Sequence, residues 1–324
     1  MTTSYILTCM SLQPLIIIAG PTASGKTDLA VELAKKLSGE IINADSRQIY
    51  KEIDIASAKP KLTTLDMRLK TYRGIPHHLF GITAPDKPFN VTDFQQGAYE
   101  VINQIVTRGN LPILVGGTGL WIRSVVENLK FPQVPPNQML RDQLEESTTP
   151  HNTVSQRIHT LTLYKELKTL DPTAASFIDP KNQRRIIRAL EVIKATGEPF
   201  SAQRRKGAPL FHTLMLGITW PMEELGKRID LRVKGQLREG LKQEARNLFT
   251  KYDHHLPALS SISLKEWRNY FDGTATLEET VAQICLHNRQ YAKRQMTWFK
   301  KDARIRWINN KNEAHSLIEQ FLNR

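Results

Sequence analysis

PLIIIAGPTASGKTDLAVELAKKL, residues 14–37, decides the architecture of this chain. Residues 15–19 are a short apolar run, rich in β-branched side chains and suited to a strand buried on both faces of a parallel sheet. GPTASGKT (20–27) follows at once and matches G-x-x-x-x-G-K-[ST] at every fixed position. Leu29, Leu33 and Leu37 then share one helical stripe, and Gly39 ends the helix. Strand, glycine-rich turn and helix are the setting in which backbone N–H groups and a helix N-terminus hold phosphate. Within the turn, Gly20, Pro21, Thr22, Ala23, Ser24 and Gly25 supply the cradle, Lys26 a point charge, and Thr27 a hydroxyl able to hold Mg²⁺.

The pattern beyond this point is strand–helix alternation, predicting an α/β fold. EIINADSRQIY (40–50) reads as a second strand ending at Asp45, residues 59–90 as loops over a site, and 93–108 as an amphipathic helix. LPILVGG (111–117) reads as another buried strand, running into Gly116-Gly117-Thr118-Gly119. Pro132, Pro135 and Pro136 mark a boundary, after which helical stretches are short and polar. Residues 131–200 are therefore read as a helical insertion, 14–130 and 201–324 as the core domain, and 1–13 as an N-terminal extension in which Met10 is an alternative start. LFHTLMLGITW (210–220) returns to the sheet, and 222–250 and 277–301 carry long helical patterns.

Charge is unevenly placed. Residues 1–150 hold 15 Lys/Arg against 14 Asp/Glu, while 151–324 hold 30 against 18. An excess confined to the second half points to a polyanion. It concentrates in KNQRRIIRALEVIK (181–194), where Arg184 and Arg188 share a face with Arg185 beside them, and in 289–306, where Tyr291, Trp298 and Phe299 lie among the cations. Basic groups with interleaved aromatics suit a phosphate backbone and unpaired bases, although aromatics at helical spacing also build cores and Trp298 is expected there. Two cysteines, Cys9 and Cys285, make neither a disulfide framework nor a zinc site, and His77-His78 lack ligand partners at useful spacing. A cytoplasmic, monomeric protein without a membrane span is the expectation.

Phosphate binding alone leaves the ligand open. The strand PILVGG ends without the Asp that ATP hydrolases place near their metal, and Asp45 reads equally as a metal-shell carboxylate, a general base or a solvated loop residue. A small-molecule or nucleotide kinase, with 131–200 as its lid over ATP, is compatible with these features. So is a non-catalytic RNA-binding protein that keeps the fold.

GPTASGKT, NADSRQIY (43–50), SAKP (57–60), IPHHLFG (75–81), LVGGTGLW (114–121), NQRRIIRALEVIKATGEPFS (182–201), RIDLRV (228–233) and YAKRQMTWF (291–299) together resemble the tRNA dimethylallyltransferases, also called tRNA isopentenyltransferases. The resemblance implies a P-loop NTPase-like sheet, and a loop that holds dimethylallyl diphosphate with Mg²⁺. The dimethylallyl group would go to N6 of the adenosine at tRNA position 37, beside the anticodon. It further implies Asp45 as the general base, with Thr22, Lys26 and Arg232 acting on the diphosphate. The anticodon arm would be met by Asp45, Ser46, Arg47, Gln48 and Thr118, and by Gln183, Arg184, Arg185, Ile186, Ile187 and Arg188. Three departures stand out: Trp121 replaces the usual Tyr, Lys234 follows Arg232-Val233 where the family often has Asp, and Ile262-Ser263-Leu264-Lys265-Glu266 replaces Ile-Gly-Tyr-Lys-Glu.

Overall fold

The computed structural model describes residues 12–66, 69–146, 153–203 and 205–323; the expectations on Cys9, Met10 and most of the N-terminal extension lie outside them. The chain opens with β1 (Gln13–Ala19), α1 (Lys26–Lys36) and β2 (Gly39–Asn43). An antiparallel stretch follows, β3 (Thr63–Asp66), β4 (Leu69–Tyr72) and β5 (Ile75–His78), then α2 (Val91–Thr107), β6 (Leu111–Gly116) and α3 (Gly119–Val126). Next come β7 (Leu129–Lys130), α4 (Gln138–Glu146), α5 (Thr153–Leu170), α6 (Pro172–Phe177), α7 (Gln183–Thr196), α8 (Phe200–Gln203) and β8 (Arg205–Lys206). The final run is β9 (Phe211–Ile218), α9 (Met222–Arg238), α10 (Leu241–Lys251), α11 (Trp267–Phe271), α12 (Leu277–Phe299), β10 (Ile305–Ile308) and α13 (Lys311–Leu322). Among the described helices none is long and apolar enough to cross a membrane.

Eight strands form one sheet in the order β10-β9-β1-β6-β2-β5-β4-β3. The five from β10 to β2 run parallel, and β5 joins β2 in parallel before the ribbon turns antiparallel. The sequence predicts loops throughout 59–90. IPHH instead forms β5 because its backbone pairs with β2, Ile41 opposite His77. β1 is central, and Leu15–Ile18 are fully buried. Leu15 and Ile17 pack with Phe94, Ile229, Ala292 and Phe299 on one face. Ile16 and Ile18 pack with Leu33 and Ile318 on the other. Each such side chain contributes about 1.5–3 kcal/mol of burial, and two buried faces explain the unbroken apolar run.

Residues 127–208 form a second compact unit. The expected bounds of 131 and 200 fall inside it, because β7 and β8 pair antiparallel and Asn128 donates to Ala208 O at 3.0 Å, drawing both chain ends into the unit. Its core is Leu163, Leu167, Ala174, Ile178, Ile186, Ile187, Leu190 and Ile193. Ile186 and Ile187, expected at the RNA, are thus 0% and 3% exposed and hold α7 to α5. Arg188, its side chain 30% exposed, is engaged within the unit. It donates to the fully buried Glu191 and, at 2.7 Å, to Val134 O. Arg141 binds the same carboxylate at 2.9 Å through Nε and NH2, and Asn137 N–H donates to it at 2.7 Å. Burial alone would raise the Glu191 carboxyl, but these donors outweigh it and hold the group below its ordinary range. Glu191→Gln is expected to cost about 1–3 kcal/mol, since two guanidinium groups lose a charged acceptor. A urea unfolding midpoint equal to that of the unsubstituted chain would show this network to be idle.

Candidate active site

The strand order β1-β6-β2 sets three loops side by side at the carboxyl ends of parallel strands, where open α/β sheets bind ligands. GPTASGKT follows β1, Gly117-Thr118 follows β6, and Ala44-Asp45 follows β2. A cavity of about 450 Å³ lies there, lined by the glycine-rich turn together with Asp45, Gln48, His77, Arg228, Arg232 and Gln295. Gly25, at φ 92°, turns the chain into α1, whose first amides have no partner within the helix and are free for an anion. Lys26 Nζ donates to Pro21 O at 2.6 Å.

Three side chains from distant helices and loops hold this turn in shape; Arg228 and Gln295 lie in segments that carry the resemblance, but the sequence reading assigns none of the three this role. Gln295 of α12, 5% exposed, accepts from Thr22 N–H at 2.8 Å and donates to Gly117 O at 2.9 Å. A Cβ on Gly117 would stand 2.2 Å from Gln295 Nε2, and one on Gly119 2.3 Å from the Trp298 ring. Two of the three glycines of the Gly-Gly-Thr-Gly stretch, Gly117 and Gly119, thus let α12 approach the backbone. On the other flank Arg228 Nε donates to Ala23 O at 2.8 Å and Trp220 Nε1 to Ser24 O at 2.9 Å, with the guanidinium 4.4 Å over the indole ring. With these carbonyls held from outside, the turn's N–H groups are left to the cavity. The Thr22 amide is the exception, because Gln295 takes it.

Asp45 is built into a turn of its own. Its N–H donates to Asn43 Oδ1 at 2.9 Å, and its Oδ1 accepts from Arg47 N–H at 2.8 Å. Thr118 Oγ1 accepts from Ser46 N–H at 3.0 Å, tying this turn to the β6 loop. Gln48 Nε2 donates to Ser57 O and Ala58 O, and Arg47 NH1 to Pro257 O at 2.9 Å. Gln48 therefore braces the SAKP turn, and Arg47 the loop before α11. Tyr291 shares a side-chain hydrogen bond with Thr118. Burial, then the nearby Asp45 carboxylate, push its phenol well above the ordinary value. Trp121 is core, stacked on Phe94 at 4.3 Å. Trp298, expected in the core, packs against it while half-buried, and also lines a surface groove with Lys293, Arg294 and Lys301.

Arg228 and Arg232 sit one turn apart on α9, so both reach the cavity. Burial lowers the Lys26 amine from 10.5 to about 8; Asp45 opposes the shift and Arg232 adds to it. Burial also lowers Arg232, to about 10, partly offset by Asp45. Three cations, Lys26, Arg228 and Arg232, line the cavity against two carboxylates, Asp28 and Asp45, so its lining carries net positive charge.

Strand, glycine-rich turn and cationic cavity define the class: an α/β protein of P-loop NTPase-like fold, with the Asp45 carboxylate beside the turn. The IPP transferase family pattern matches residues 48–302 and the isopentenyl transferase pattern residues 13–75, and the chain belongs to the IPP transferase family. A tRNA dimethylallyltransferase of Geobacillus thermodenitrificans is 40% identical over 299 residues, covering 92% of this chain and 90% of its own. One from Moorella thermoacetica is 39% identical over 324 residues, covering 98% and 97%. The crystal structure of a full-length tRNA isopentenylpyrophosphate transferase from Bacillus halodurans superimposes with a TM-score of 0.68 at 36% identity, covering 96% of this chain and 97% of that one. A eukaryotic dimethylallyltransferase acting on tRNA gives 0.71 at 29% identity, covering 88% and 69%.

The lowered Lys26 sets a pH dependence. Below about pH 8 the amine is charged before an anion arrives. Above it, binding must take up a proton, so inorganic pyrophosphate affinity is expected to fall, at most about tenfold per pH unit. Calorimetric titration from pH 7 to 9.5 checks this, and Lys26→Met should abolish the break.

Proposed function

We propose that the protein transfers the dimethylallyl group of dimethylallyl diphosphate to N6 of the adenosine at tRNA position 37, releasing diphosphate. One observation carries the reading: Lys26, Arg232 and the first turn of α1 line the same cavity as the carboxylate of Asp45. An alkylation of a weakly nucleophilic amine needs both the cations and the carboxylate. A kinase can use the same groups, and alkylation is favoured over it by the similarity to tRNA dimethylallyltransferases along most of the chain.

The diphosphate is held by the turn 20–27, with Lys26 and Arg232 on its outer oxygens and Arg228 steadying the turn from behind. The apolar side chains of Ile41, Phe80 and Val115 line the same cavity and suit the five-carbon tail. They also keep water from the carbon that develops positive charge. The adenine cannot react while stacked in the anticodon loop, so it enters splayed out. As the bond from N6 to carbon 1 forms, the bond from carbon 1 to oxygen breaks, and its electron pair leaves with the diphosphate. That growing negative charge meets fixed donors, which is where preorganised electrostatics contributes most. The proton lost by N6 goes to Asp45.

Mg²⁺ fits the oxygens present. The Thr27 hydroxyl lines the cavity with Ser24, whose Oγ is buried without a partner among the described residues. Hard oxygens beside a phosphate ligand are what this ion selects. Bound there, it would offset charge on the departing diphosphate.

For the RNA, Arg184 and Arg185 on the first turn of α7 are exposed and suit backbone phosphates. Ile186 and Ile187 are withdrawn from that assignment, since their side chains form the insertion's own core, and Arg188 is committed to Glu191 and Val134 O. The α12 groove of Lys293, Arg294, Lys301 and half-buried Trp298 suits backbone and an unpaired base.

Two experiments test the reading. Incubation with labelled dimethylallyl diphosphate and unmodified tRNA should yield prenylated adenosine, and Asp45→Asn should lower the single-turnover rate by roughly 10²–10⁴-fold while tRNA still binds. Phosphoryl transfer from ATP in place of prenyl transfer would end the proposal. Replacing Arg184 and Arg185 together by Gln should reduce the slope of log affinity for tRNA against log salt by roughly 1.5. An unaltered slope would move the RNA elsewhere.

A further inference from the structure

Ser263 stands where the sequence resemblance expects glycine, and the backbone there is in the left-handed region, φ 73°. Any side chain at such an angle is strained, and a serine that persists there needs a compensating contact. Ser263 is 2% exposed and has two. Its N–H donates to Glu266 Oε2 at 2.9 Å, and the other oxygen of that carboxylate meets His287 Nδ1 at 2.7 Å, docking the turn on α12. Its hydroxyl accepts from Asn288 Nδ2 at 3.2 Å.

Asn288 is the link to the cavity. Its Nδ2 also donates to Ile284 O at 2.9 Å, so both amide protons are committed. Its Oδ1 is thereby forced to face Arg232, accepting from NH2 at 3.1 Å. This is the hydrogen bond that fixes the guanidinium among the described residues, and Arg232 Nε is buried without a partner. The guanidinium is held at one corner, with donors to spare for an anion. Lys26 nearby would otherwise push it away.

We infer that Ser263 is a positioning residue for the diphosphate grip: its hydroxyl fixes Asn288, and Asn288 aims Arg232 into the cavity. The inference rests on the diphosphate reading above. Without the hydroxyl, Asn288 keeps only a bond within its own helix, and Arg232 loses a rigid acceptor. Losing one such hydrogen bond is expected to weaken anion binding about 3–10-fold.

Strain and grip can be separated by experiment, because glycine removes both whereas alanine removes only the hydrogen bond. Ser263→Gly should melt about 2 °C above Ser263→Ala, since both lose the hydroxyl and only glycine accepts this backbone angle. It should also weaken inorganic pyrophosphate binding, measured by calorimetry, about 3–10-fold. Ser263→Ala keeps the strain and loses the bond, so it should melt lower and bind equally weakly. In an Arg232→Gln background, Ser263→Gly should add no further loss. Pyrophosphate affinity unchanged in Ser263→Gly, or a loss that persists undiminished without Arg232, overturns the inference alone. Failure of the unsubstituted protein to bind pyrophosphate overturns this inference and the diphosphate reading together.

Discussion

The site depends on one amide. Gln295 accepts from the Thr22 N–H and donates to the Gly117 carbonyl. It therefore fixes the distance between the loop that follows β1 and the loop that follows β6. The β6 loop in turn holds the Asp45 turn through Thr118. A cradle for a leaving group and a base for a nucleophile can cooperate only if their spacing is fixed before substrates arrive. Here that spacing is set by a helix rather than by the loops themselves. Arg228 and Trp220 complete the arrangement from the far side of the P-loop.

The helices α9 and α12 thus do for this site what a lid does in other phosphate-binding folds. α9 presents Arg228 and Arg232 one turn apart, and α12 presents Asn288, Tyr291 and Gln295 along one stripe. Electrostatics explains why so many neutral partners are needed. Lys26 and Arg232 repel each other, and both lie where burial disfavours charge. Asp45 relieves part of that cost, and hydrogen bonds to the Pro21 carbonyl and the Asn288 amide oxygen hold the cations in place. The cavity is poised for an anion because it is incompletely neutralised without one.

How much of this was legible depends on distance along the chain. GPTASGKT and the Asp45 turn are local patterns at strand ends, and both stand where the sequence reading places them. Gln295 lies 273 residues from Thr22, and no periodicity announces such a contact. Ser263, Asn288 and Arg232 form a chain of the same kind. The misplacements on α7 have a different cause. Ile186, Ile187, Leu190 and Ile193 fall at helical core spacing, and Arg188 has Glu191 one turn ahead, so the inward face and the ion pair could be read from the pattern. Carrying a whole motif over to RNA contact obscured it. Reading 59–90 as loops failed because proline, glycine and histidine weaken strand propensity, whereas β5 is held by pairing with β2.

The topology has a consequence for synthesis. β1 pairs with β9 along its full length, from Gln13 opposite Phe211 to Ala19 opposite Gly217, and the P-loop waits for an amide on α12. On a ribosome the first strand therefore emerges long before its partner, while the unit 127–208 can close on local contacts. Every prematurely ended chain that stops before α12 lacks the brace on its P-loop. In such fragments the turn after β1 has neither its strand partner β9 in full nor the Gln295 amide, so the site is assembled last and all at once.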